Sequence, residues 1–152
     1  MAMDAQTFCT LSAGAFFLVG LGCGFWKYSW IARTAEADAR APPYVDIAHR
    51  ASLLYAFACD LLARLCAESA WPDSVNLVAS GLLVGFFASA VIGYVVHGVL
   101  RDTDNQLRRP HVLGRRTVGP RAVTTYMVAL TIAEIGAFGV LFAGFARAHL
   151  SI

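Results

Sequence analysis

Charged residues are scarce in this chain. They make up 14% of its 152 residues, against 58% hydrophobic, where an average soluble domain carries about 25% charged residues. That deficit points to lipid and excludes a large soluble domain. A CxxC pair is also missing. Cys9, Cys23, Cys59 and Cys66 lie in or beside apolar runs at spacings too loose for a disulfide framework or a zinc site, so they read as small buried apolar residues. The opening octet MAMDAQTF has no Lys or Arg, and no small-residue cleavage site precedes a domain of another kind. A secretory signal is therefore not expected there.

Four apolar runs of about 20 residues, the length that crosses a bilayer, occupy most of the chain: 9–31, 47–69, 75–99 and 122–146. Inside lipid each backbone N–H and C=O must be satisfied within the segment, which runs of this length do as helices. Strands would need only about 10 residues each. The expected fold is all-α, a single four-helix membrane bundle spanning 1–152.

The second connection, ESAWPDSVN, has no basic residue. The first, 32–46, holds Arg33 and Arg40, flanked by Lys27 and Arg50; the third, 100–121, holds Arg101, Arg108, Arg109, Arg115, Arg116 and Arg121. Basic short loops stay in the cytoplasm, so both termini are expected outside; in a Gram-negative host this would be an inner-membrane protein. A six-arginine loop can also mean nucleic acid or anionic lipid, but topology suffices, and no nucleic-acid partner is expected.

Ionisable groups inside spans mark sites or pairs. Asp60 and Arg64, four apart on one face, read as an internal salt bridge, with a substrate or proton role as the other reading. Glu134, amid Gly136, Gly139 and Gly144, locally looks like the ion-carrying helix of rotary ATPase proteolipids. The other helices lack that glycine pattern, so Glu134 reads as an interior pairing residue, with Arg64 or a neighbouring subunit as partner. Antiparallel second and third helices bring His49, Tyr94 and His97 to one depth near the cytoplasmic face. A polar constellation at one end of a bundle suits a ligand or cofactor; residues reaching headgroups are the equal alternative.

Ala48-His49, then Gly93-Tyr94, then Asn105-Gln106 in the following loop resemble the styrene oxide isomerase family, small four-helix membrane enzymes that convert an aryl epoxide to an aldehyde. His49 and Tyr94 stand 45 positions apart, the interval between the equivalent His and Tyr of that family. The resemblance implies a homotrimer with haem b at the subunit interfaces, His49 as axial iron ligand, and Tyr94 bonding the substrate oxygen. Ferric haem with one protein ligand would act as a Lewis acid on the epoxide oxygen, and a 1,2-hydride shift would give the aldehyde. Tyr55 replaces the family's Asn six residues after the His and alters the substrate pocket. Arg50, or less directly Arg108, Arg109 and His111, suits a haem propionate. His97 is open: a partner behind the ligand shell, a propionate contact, or a second axial ligand that would favour electron transfer. Phe57, Phe86 and Phe87 suit an apolar cavity wall or the core.

Two other readings share the architecture. The glutathione-using MAPEG enzymes have the same size, trimer and Ala-His element, but their Asn and Glu positions here hold Ala51 and Leu54. A non-enzymatic accessory subunit of a membrane complex would use surfaces such as Gly20-Leu-Gly-Cys-Gly24 for close helix packing.

Overall fold

The computed structural model describes residues 3–33 and 39–150. Four long helices, α1 (Ala5–Ala32), α2 (Pro43–Ala67), α3 (Asp73–Leu100) and α4 (Pro120–His149), carry an all-helical architecture. A two-strand hairpin, β1 (Val112–Leu113) and β2 (Arg116–Thr117), interrupts the last connection. Part of the first connection, 34–38, lies outside the described residues.

Each helix begins before its apolar run. Asp4 caps α1, its carboxylate accepting from the Thr7 amide at 2.7 Å, and Pro43 and Pro120 occupy first-turn positions, where a missing N–H costs nothing. The helices therefore extend through polar turns that hydropathy alone assigns to loops.

Among the described residues, α1, α3 and α4 are long and apolar enough to cross a membrane; α2 is not. The second of the four expected spans is the least apolar of the helices, for a physical reason. Asp46, Arg50, Asp60 and Arg64 interrupt α2, and each charge works against transfer into hydrocarbon.

The core lies between α1, α2 and α3, where Cys9, Phe16, Ala56, Cys59, Leu62, Leu83 and Phe87 pack together, and α4 adds Ala137 and Leu141. All four cysteines are buried and unlinked. At one end the α1 start meets the α3 start, the Ala5 amide donating to Asp73 Oδ1 at 2.9 Å. There the α2–α3 connection lies on α4: the Ala70 amide donates to the Gly144 carbonyl at 3.0 Å and Trp71 Nε1 to the Val140 carbonyl at 2.9 Å. Gly144 is required by that approach, since a Cβ would stand 2.2 Å from Trp71 Cδ1.

At the other end the chain between α3 and α4 is tied down. Arg101 takes a left-handed conformation at φ 51° and turns the chain so that Asp102 folds back onto α3. Asp102 accepts from His97 Nδ1 at 2.7 Å and from the Gly114 amide at 2.5 Å. Gly114, at φ 61°, opens the two-residue turn between Leu113 and Arg116. Positive φ at the first turn position alone is the type II′ pattern that matches strand twist.

Burial by itself would raise the Asp102 carboxyl, but the His97 bond and the Gly114 amide outweigh it and hold its pKa below the ordinary value. A depressed carboxylate contributes stability above its unfolded pKa, near 3.9, and loses it as pH falls through the lower folded value. Loop protection is therefore expected to be flat through neutral and mildly acidic pH and to fail only in stronger acid. Asp102→Asn should accelerate Gly114 amide exchange at pH 7 by about tenfold, since a charge-assisted bond contributes ~1.5 kcal/mol. Unchanged exchange would show that the loop is held elsewhere.

Candidate functional site

A cleft of about 220 Å³ opens between α2, α3 and α4, with Gln106 of the loop among its lining residues. Its polar residues are Tyr55 from α2, Ser89 and Tyr94 from α3, and Tyr126 and Glu134 from α4; Ala90, Gly93, Met127 and Leu130 complete it. Sequence spacing explains the grouping: Tyr126, Leu130 and Glu134 follow one another at i+4 along α4, as do Ser89 and Gly93 along α3, so each set shares a helix face.

Aromatic packing fixes the walls. Tyr55 stacks on Phe87 with centroids 4.3 Å apart and planes 9° apart, and Phe16 lies 5.9 Å away on α1. Tyr94 stacks on Tyr44 at 6.1 Å, and Tyr44 packs in turn against His97 at 5.1 Å. The Tyr44 hydroxyl accepts from the Gln106 amide at 2.5 Å, which anchors the loop at the cleft. The hydroxyls of Ser89 and Tyr126 share a hydrogen bond of 2.7 Å. Phe86 flanks Tyr126 at 6.2 Å. Phe57 lies away from this cleft: it is 67% exposed, on the outward stripe of α2 with Leu54 and Leu61.

Glu134 Oε1 is buried without a hydrogen-bond partner. The expected partner Arg64 is elsewhere, its Nε 3.2 Å from Asp60 Oδ2 on the outward face of α2. The Asp60–Arg64 bridge is thus present, but on the exposed face of α2, while Glu134 faces the tyrosines.

Of the residues expected at the site, Tyr55 and Tyr94 come together and His49 does not join them. His49 lies against α1, its Nδ1 2.8 Å from the Gly20 carbonyl. A Cβ on Gly24 would approach the imidazole Cε1 to 2.8 Å, so Gly24 leaves the space that the ring fills. Arg50 pairs with Asp46 at 2.8 Å, and Lys27 reaches the other oxygen of Asp46 at 2.5 Å. His97 is buried and engaged with Asp102, not with His49. Arg108 pairs with Asp104 at 2.9 Å, and His111 Nδ1 donates to the Gln106 carbonyl at 3.1 Å. Asn105 is a turn residue, its Oδ1 accepting from the Leu107 amide at 3.0 Å.

The imidazole of His49 fits the haem implied by the resemblance. A carbonyl only accepts, so Nδ1 carries a proton and Nε2 is the nitrogen left for a metal, as where a backbone carbonyl orients a metal-binding imidazole. Among the described residues no three His, Cys, Asp or Glu side chains converge to hold a metal ion; a haem iron takes its equatorial ligands from the porphyrin and asks the protein for axial ones. Since His49 does not line the tyrosine cleft, one protomer does not supply both halves of such a site. Tyr44, Ser89, Asp102 and Tyr126 were missed by sequence reasoning; the Tyr126-to-Glu134 spacing was the one available signal. Compared with known proteins, the chain matches no family model, no curated protein and no solved structure.

Proposed function

We propose that the chain is a membrane epoxide isomerase, working as a homotrimer with haem b held by His49 and turning an apolar aryl epoxide into an aldehyde. The observation that carries this reading is the meeting of Tyr55 and Tyr94, from two helices, in a cleft lined also by Met127 and Leu130, with Phe87 stacked on Tyr55. When bound, haem supplies an electrophilic centre for the epoxide oxygen. Tyr94 donates a hydrogen bond to that oxygen as the C–O bond breaks, and Tyr55 narrows the pocket around the aryl group. The aromatic walls keep water from the developing cation, so that hydride migration outruns diol formation.

The trimer is supported by α2. Its outward side chains Arg50, Leu54, Phe57, Leu61 and Arg64 recur at alternating steps of four and three, the spacing of a helix–helix seam. Covering that seam with a second copy removes charges from lipid and lets His49 of one protomer face the cleft of the next. All four helices then cross the membrane, with the basic end cytoplasmic and both termini outside; in a Gram-negative host this is the inner membrane.

Tyr94→Phe is the direct test. Losing one preorganised donor to a developing oxyanion costs about a hundredfold in kcat, so aldehyde formation from aryl epoxides should fall by that order while bound haem is unchanged. Unaltered turnover would remove Tyr94 from the reaction, and absence of aldehyde formation by haem-loaded wild-type protein would remove the isomerase reading.

A further inference from the structure

Glu134 stands at the middle of α4, 14 residues after Pro120, or about 21 Å into the helix at 1.5 Å per residue. A carboxylate at that depth is costly unless something pairs with it. Nothing in this cleft does. Oε1 is buried without a hydrogen bond, and the lining contains no Lys, Arg or His. The five lining residues besides Glu134 that carry polar groups form a ladder towards the loop: Tyr55, then Tyr94 and the Tyr126–Ser89 pair, then Gln106. A polar head thus has hydrogen-bonding groups along the way from the headgroup region to mid-membrane, while Leu130, Met127 and Ala90 receive an apolar body.

We infer that this cleft binds small amphiphiles bearing a protonated amine, with the Glu134 carboxylate as counter-ion and the tyrosines as the surrounding wall. Each part of the chemistry corresponds to a part of the site. An ammonium supplies both the charge and the N–H donor that Oε1 lacks, and tyrosine-lined pockets are suited to cations that have left water. An alcohol of the same shape would supply the donor without the charge. The cleft volume of about 220 Å³ suits a ligand of single-ring size. The inference goes beyond the isomerase reading and does not depend on it, because the binding requires neither haem nor epoxide.

The test compares 2-phenylethylamine with 2-phenylethanol, nearly identical in shape, by calorimetric titration of the protein in nanodiscs at pH 7, with empty nanodiscs as the blank. The amine is expected to bind at least about tenfold more tightly, as a charge pair in a low-dielectric site requires. Glu134→Gln, which keeps shape and volume, should reduce the amine to the affinity of the alcohol, with helicity by circular dichroism confirming the fold. Equal affinities in the wild type, no binding of either compound, or an amine preference that survives Glu134→Gln would each overturn the assignment. Loss of epoxide turnover with the amine preference intact would count against the isomerase reading alone.

Discussion

If the proposed haem site is right, His49→Ala purified from haem-supplemented cells is expected to retain under about a tenth of the haem bound by the wild type, since a single axial imidazole would be the ligand the protein supplies. The expectation rests on how the ring is held. Its Nδ1 donates to the Gly20 carbonyl at 2.8 Å, which fixes the ring and leaves Nε2 as the nitrogen for iron. Alanine removes the ligand and leaves a gap against Gly20 and Gly24. Gly24→Val is the complementary variant: it keeps His49 but fills the space the ring occupies, where even a Cβ would lie 2.8 Å from Cε1. Haem should therefore be weakened in Gly24→Val with His49 still present, and a displaced imidazole would show as an altered Soret position. Ultraviolet-visible spectra of the oxidised and reduced proteins read both outcomes. Stoichiometric haem in His49→Ala would remove that residue from the ligand role, and a wild type without haem would remove the cofactor.

The helices were legible because their apolar runs are long; their ends were not, because Asp4 and the prolines at 43 and 120 extend each helix through polar turns. Hydropathy placed a second span at 47–69 but blurred the difference between α2 and its neighbours. An outward Asp60–Arg64 pair and an outward Leu have the same helical period, and only the packing of α1 and α3 tells which face is covered. Tyr94 was found from its depth and its oxygen-binding role through a resemblance, as was Tyr55, whereas Tyr126 was reachable from the i+4 steps leading to Glu134. His97 was misjudged as a companion of His49. Depth along antiparallel helices says nothing of azimuth: His49 turns to α1 while His97 turns to Tyr44 and Asp102. That second contact depends on the left-handed turn at Arg101, a conformation no local sequence pattern announces for arginine.

Arg64→Leu is expected to dissociate the homotrimer proposed above. The Asp60 and Arg64 side chains are 58% and 76% exposed on a single protomer, 3.2 Å apart, between the apolar side chains of Leu61 and Phe57, themselves 47% and 67% exposed. In water such a pair would contribute a few tenths of a kcal/mol. In a seam between copies it is shielded from solvent, and deleting one partner leaves an uncompensated carboxylate at a cost of about 3 kcal/mol, near a hundredfold in assembly per contact. Native mass spectrometry of the detergent-purified protein should then show trimers for the wild type and mainly monomers for Arg64→Leu. The double variant Asp60→Leu with Arg64→Leu separates charge from packing, because exchanging a buried ion pair for apolar groups is often neutral or stabilising. It should restore the trimer, giving a large favourable coupling between two individually damaging changes. A wild type that is monomeric, or an Arg64→Leu protein that stays trimeric, would mean that the outward stripe of α2 does not form the seam. His49 and the tyrosine cleft would then need another route to meet.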